Sequence, residues 1–179
     1  MNYKTIIETI LLTADKPMQT IDLINILDRK LDKNGIEIII ENLNTEYKEL
    51  GKGIYVDYIS NGYQIRTKSK YNEYIMKANT QMNGFALSKA SYEVLSIICF
   101  KQPVTKNIIE GIRGVDCSYL IKNLLNKKII KICGKNPNKG KSLLYCTTKL
   151  FLEIFGLKSL KNLPKFKDIK EIVSSNEIK

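Results

Sequence analysis

The stretch Leu87–Pro164, LSKASYEVLSIICFKQPVTKNIIEGIRGVDCSYLIKNLLNKKIIKICGKNPNKGKSLLYCTTKLFLEIFGLKSLKNLP, reads as three helices, a two-stranded wing and a closing helix. Ser88 supplies an N-cap whose hydroxyl can accept from an orphan backbone N–H. At about 100° per residue, Leu87, Ala90, Val94, Ile97 and Ile98 fall on one side and Lys89, Glu93 and Ser96 on the other, so the spacing predicts an amphipathic helix. Pro103 ends it, because proline biases Gln102 away from the α region and cannot donate a helical hydrogen bond. Thr105 is expected to cap a second helix with Ile108, Ile109 and Ile112 as its buried side, and Gly114 suits the positive φ at its end. Asp116 or Ser118 caps a third, in which Leu120, Ile121, Leu124 and Leu125 recur at helical spacing. From Ile129 the pattern becomes extended through Cys133, passes a loop from Gly134 to Ser142, and returns as the strand Leu143–Thr147. Lys149–Phe155 reads as a last helix stopped by Gly156.

The first half is a looser copy. Tyr3, Ile6, Ile7, Ile10, Leu11 and Ala14 share one helical face, while Leu12 lies about 170° from its centre. Lys16-Pro17 breaks that helix, and Thr20 caps a short one carrying Leu23, Ile24 and Leu27, repeating Phe100 to Ile112 in miniature and suggesting an internal duplication. Asn34-Gly35 leads into a long helix with Ile36, Ile39, Ile40, Leu43 and Tyr47 inward and Ile38 roughly opposite. After Gly51 and Gly53, strands from Ile54 and from Tyr63 flank Asn61-Gly62, a strong hairpin signal. A helix over Tyr71–Ala78 closes the unit. The expected fold class is α+β, mainly α, with two tandem winged helix-turn-helix domains: residues 1–82, a linker at 83–86, residues 87–164, and a frayed tail at 165–179 in which Phe166, Ile169, Ile172 and Val173 keep a faint helical spacing.

The chain has 179 residues, 44% of them hydrophobic, with four prolines and ten glycines, a composition that argues against disorder. No apolar run approaches the roughly 20 residues of a spanning helix, and Met1-Asn2-Tyr3-Lys4-Thr5 lacks the pattern of a secretory signal. A cytoplasmic address is expected. Cys99, Cys117, Cys133 and Cys146 contain no Cys-x-x-Cys pair and no histidine is present, so reduced, mostly buried cysteines without metal or cofactor are expected. The lack of histidine also removes the usual general base at neutral pH, and with it the expectation of an enzyme.

The net charge of +11 sits entirely in one half: residues 1–86 hold 11 basic and 11 acidic side chains, residues 87–179 hold 18 and 7. Such asymmetry fits either an anionic partner or lysines that are simply solvated in a chain rich in Ile, Asn and Lys. The loop Gly134–Ser142 superficially resembles a phosphate-binding loop. However, five residues separate its glycines where that motif has four, and a strand follows where a helix N-terminus is required. Lys135, Lys139 and Lys141 could still touch DNA phosphates without reading sequence. In the first half the third helix carries Glu37, Glu41, Glu46 and Glu49 against Lys48; in the second it offers Lys122, Asn123, Asn126, Lys127 and Lys128 with no arginine. Base readout is poorly served by either. A winged-helix transcription regulator using the basic half is the alternative reading.

Ser88-Lys89-Ala90, Gln102-Pro103-Val104-Thr105, Ile112-Arg113-Gly114-Val115, Leu144-Tyr145-Cys146-Thr147-Thr148 and Phe155-Gly156-Leu157-Lys158-Ser159-Leu160 together resemble the ScpB family, the kleisin-associated subunit of the bacterial SMC complex. The resemblance is dense over Leu87–Pro164 and weaker but collinear over residues 3–78; it departs from the family pattern at Cys146 and Ser142, in and beside the wing. It implies a non-enzymatic subunit that supports chromosome condensation and segregation, forms a homodimer through its N-terminal domain, binds the kleisin ScpA, and meets SMC through ScpA. Leu12 and Ile38 each forgo roughly 1.5 to 3 kcal/mol if left in water. Burial within the same domain and a dimer interface both answer that. Tyr92, Phe100 and Tyr119 are candidate ScpA anchors, as aromatic side chains give large contact area. Gln102, Val104 and Arg113 are candidate contacts that also serve as turn chemistry.

Overall fold

The computed structural model describes residues 2–78, 87–137 and 142–163. Residues 2–78 form helices α1 (Tyr3–Thr13), α2 (Thr20–Ile26) and α3 (Lys33–Glu49), strands β1 (Ile54–Ile59) and β2 (Gly62–Thr67), and helix α4 (Asn72–Ala78). The second half repeats that order with α5 (Lys89–Lys101), the short strand β3 (Val104–Thr105), α6 (Lys106–Arg113), α7 (Ser118–Asn126), β4 (Ile130–Lys135), β5 (Leu143–Thr147) and α8 (Lys149–Ile154). The chain is thus mainly helical with two small antiparallel sheets, β1-β2 and β3-β5-β4. Among the described residues no helix is long and apolar enough to cross a membrane. The expected linker, the tip of the wing and the tail fall outside the described residues.

Short polar side chains cap α1, α3, α5 and α8, whereas Thr20, expected to cap α2, is its first helical residue and the N-cap Gln19 makes no side-chain bond. Asn2 accepts from the backbone N–H groups of Lys4 (3.1 Å) and Thr5 (3.4 Å), Asp32 from Gly35 (2.8 Å), Ser88 from Ser91 (3.2 Å) and Thr148 from Phe151 (3.3 Å). Each satisfies a donor that has no partner within the first turn of its helix. Thr105 stands at the N-cap of α6 but makes no capping bond, because it is buried in β3. α7 begins at Ser118, and Asp116 serves it from two residues upstream, its carboxylate accepting from the Ser118 N–H (3.1 Å) and hydroxyl (2.8 Å). Gly114 (φ 74°) and Gly156 (φ 62°) take the left-handed conformation at the ends of α6 and α8.

Two apolar cores form, one per half. Ile7, Leu11, Leu23, Ile36, Leu43 and Tyr47 fill the first; Val94, Ile98, Ile109, Ile121, Leu124, Ile129 and Phe151 fill the second. In each half one residue just after a proline closes the core by pairing with the second hairpin strand. Met18 exchanges backbone hydrogen bonds with Tyr63 (2.8 Å each way), and Val104 lies opposite Tyr145. Asn44 on α3 holds β1 as well, accepting from Val56 N–H (2.7 Å) and donating to Val56 carbonyl (2.9 Å).

Three expectations are corrected. The two-residue hairpin loop is Ser60-Asn61, both at positive φ, and Gly62 is the first residue of β2, paired with Ile59. The glycine at 62 is needed because a Cβ there would stand 2.8 Å from the Met18 carbonyl oxygen and 2.9 Å from Pro17 carbon. Of the three isoleucines assigned to the buried side of α6, only Ile109 is buried; Ile108 and Ile112 are exposed, since the eight-residue helix meets its core along a narrow stripe. Cys99 and Cys117 are free and buried as expected, but Cys133 and Cys146 form a disulfide. The irregularity between Ile132 and Gly134 brings Cys133 beside Cys146, whose direct partner is Lys131.

Gly62→Ala should lower stability by about 1–3 kcal/mol, because the clash is with backbone that cannot swing away. Gly134→Ala, whose added Cβ would meet nothing closer than 3.7 Å, should be nearly neutral. Urea midpoints of the two variants check both expectations.

Candidate protein-docking surfaces

On the outside of the second half, α5 and α8 leave an apolar groove between them. Tyr92, Leu95, Ser96, Cys99 and Phe100 recur at helical spacing along α5 and form one wall; Phe151, Phe155, Leu157 and Leu163 form the other, around a volume of about 310 Å³. The groove brings together two of the aromatics expected to be anchors, Tyr92 and Phe100. Phe151 and Phe155 stack at 4.8 Å between ring centroids, and burial pushes the Cys99 thiol up to about 11, so it stays uncharged at neutral pH. An apolar cleft without a charged side chain in its walls suits an apolar face. The α8 wall was missed in the sequence, although the four-residue spacing of Phe151 and Phe155 signalled an aromatic row.

The remaining residues singled out in the second half separate into interior and surface. Gln102 accepts from the Thr147 N–H (2.7 Å) and hydroxyl (3.0 Å) and donates to the Cys99 carbonyl (3.2 Å), and Val104 is buried against β5. Val104 is buried and Gln102 half-buried, and both hold β3 and α5 on the sheet. Arg113 pairs with Glu93 (2.8 Å) and donates to the Cys117 sulfur (3.6 Å), with only 14% of its side chain exposed, which ties the α6–α7 corner to α5. Tyr119 is 76% exposed at the start of α7, outside the groove. Exposed Ile108 and Ile112, four residues apart, lie in one row on α6.

In the first half, Leu12 on α1 is 68% exposed and Ile38 on α3 is 57% exposed, so neither is buried within its own half. The helices that carry them pack together. Two acidic groups of that region are already engaged: Glu46 pairs with Lys4, and Glu8 accepts from the Tyr47 hydroxyl (2.7 Å). Burial first, and then the Glu8 carboxylate, push Tyr47 up, so it remains a donor.

Of the basic wing residues, Lys135 ends β4 with its side chain exposed, whereas Lys139 and Lys141 lie outside the described residues. Asn136 N–H donates to the Ser142 carbonyl (2.8 Å), continuing the hairpin, and β5 follows, so no helix N-terminus stands after this loop. Among the described residues no group of three or more His, Cys, Asp or Glu side chains is placed to hold a metal.

The family model described as "Segregation and condensation complex subunit ScpB" matches residues 5–166. Segregation and condensation protein B of Syntrophotalea carbinolica is 36% identical over 97% of this chain and 87% of its own length; that of Clostridioides difficile is 35% identical over 96% of each. The crystal structure of ScpB from Mycobacterium tuberculosis is 24% identical, covers 87% of this chain and 95% of its own, and superposes with a TM-score of 0.41.

The α6–α7 corner has a measurable signature. The two hydrogen bonds from Ser118, and then Lys106 at 3.3 Å, hold the Asp116 carboxyl at about 2. With the acid lowered in the folded state, its contribution to stability is complete above the ordinary carboxylate range and is lost as pH falls through about 2. A carbon-detected NMR titration should find that midpoint in the native chain and an upward move in Ser118→Ala; an ordinary carboxylate midpoint in the native chain contradicts the arrangement.

Proposed function

The chain belongs to the ScpB family, and from that premise we propose that it is a non-enzymatic subunit of an SMC–ScpA–ScpB complex, binding the kleisin ScpA as a homodimer and so supporting chromosome condensation and segregation. Each half, with its three helices, hairpin and closing helix, is read as a winged helix-turn-helix domain. Residues 1–82 carry dimerisation, residues 87–164 carry ScpA binding, and residues 83–86 and 165–179 are linker and tail. SMC is met through ScpA, no cofactor is used, and the address is the cytoplasm, at the nucleoid.

The observation that carries this reading is the apolar groove between α5 and α8. An amphipathic helix lays its apolar side chains into such a cleft as anchors spaced three and four residues apart, and aromatic walls supply contact area at low entropic cost. Tyr92 and Phe100 are proposed as the α5 contacts, with Phe155 facing them and Tyr119 and the exposed edge of Arg113 as peripheral ones. Leu12 and Ile38 are proposed for the homodimer, since exposed apolar side chains on adjoining helices are better covered than solvated. Lys135, with Lys139 and Lys141, would add at most nonspecific phosphate contact.

Co-expression of the native chain with an ScpA-like chain should give a stable complex on affinity purification. Phe100→Asp should weaken it about tenfold or more, the scale of a hot-spot loss, while thermal unfolding stays near native because Phe100 is partly exposed. Wild-type retention of ScpA by the variant contradicts the groove. For the other surface, Leu12→Asp combined with Ile38→Asp should sediment as a monomer, and an unchanged dimer rules that surface out.

A further inference from the structure

α8 is engaged on two sides. Lys149 and Glu153, four residues apart on α8, and Leu157, just beyond its end, turn their carbonyls to the first half: Leu157 accepts from the Ser60 backbone N–H (3.1 Å), Lys149 from the Ser60 hydroxyl (3.3 Å) and Glu153 from Arg66 Nη1 (3.1 Å). Phe151 and Phe155, two positions further along and therefore about 200° round the helix, line the groove. Ser60 is buried and Ile59 beside it fully so, although both stand at the tip of a two-residue hairpin turn, a place ordinarily open to solvent. The positive φ of Ser60 and Asn61 turns the hairpin tightly enough to present the Ser60 N–H and hydroxyl together. Arg66 meets the last turn of α8, where the helix dipole favours a cation.

We propose that Ser60 and Arg66 are positioning residues for the groove. By holding α8 from behind, the first half fixes the separation between the aromatic wall and α5, so the affinity of the second half for a docked helix is set in part by a contact from the first. A wall that must be ordered during binding lowers affinity, and a wall already held does not. The inference rests on the reading of the groove as the ScpA site and adds to it the residues that control its width.

The test uses the full chain with Arg66→Met and Ser60→Gly combined, glycine being at ease with the positive φ at residue 60. Two quantities are read: the Kd for a fluorescently labelled ScpA-like chain, and hydrogen exchange over 149–157. The Kd should rise about fivefold or more, the lower end of coupling between sites. Exchange should quicken over 149–157 but not over 89–101, a split that general loss of stability would not give. Arg66→Lys, which keeps a donor, should fall between native and Arg66→Met. Native binding that the double variant leaves within about twofold, or unchanged exchange over 149–157, overturns the coupling alone. A native chain that ignores the labelled ScpA overturns the groove reading and this inference together.

Discussion

Backbone pairing between the residue that follows a proline and the second strand of the hairpin fixes the geometry of each half. Met18 meets Tyr63 and Val104 meets Tyr145, so helices and hairpin close over one core in both cases. Pro103 ends α5 directly and holds Gln102 extended, whereas α1 stops at Thr13, four positions before Pro17; in both halves the residue after the proline makes the ladder contact. Gly62 is a consequence of this constraint, since only a residue without Cβ lets the Met18 backbone come so near. Gln102 is another, its amide spanning from the end of α5 to Thr147 at the end of β5.

Once the hairpin is fixed, α8 must start directly after β5, with Thr148 capping it and also donating to the Lys128 carbonyl (2.7 Å). That places Phe151 in the core and Phe155 at its rim opposite Phe100, and the groove results. Several polar groups of the second half are spent on the fold: Arg113 on Glu93, Glu110 on the Cys117 N–H (2.8 Å), and Asp116 on Ser118 and Lys106. What lines the cleft between α5 and α8 is apolar, so the half with the charge excess also holds an uncharged cleft. The first half offers Leu12 and Ile38 and engages two of its carboxylates with Lys4 and Tyr47.

Local signals were legible in the sequence because they act over a few residues. The Ser88 cap, the Gly114 and Gly156 turns, the outward Leu12 and Ile38, and the helical faces of α3 and α7 follow from spacing and backbone preference. Failures arose where a third element decides. In α6, two turns cannot tell which of Ile108, Ile109 and Ile112 meets the core, because that depends on where α5 lies. Asn61-Gly62 located the turn but not its register, which the Met18 backbone sets. Cys133 and Cys146, thirteen positions apart, join through a strand irregularity that their spacing does not reveal. The supporting role of Val104 and Gln102 was legible as turn chemistry, whereas the groove was hidden because one of its walls belongs to α8 and the residues after it.

On the proposed reading, the second half is a platform for a polypeptide and not for bases. A benzophenone amino acid placed at Phe100 in the groove, and in a separate sample at Lys122 on the exposed face of α7, tests it directly in the presence of an ScpA-like chain and duplex DNA. Irradiation should join position 100 to the ScpA-like chain and leave position 122 without a DNA adduct. Cross-linking of position 122 to one preferred duplex, with position 100 silent towards ScpA, contradicts the account.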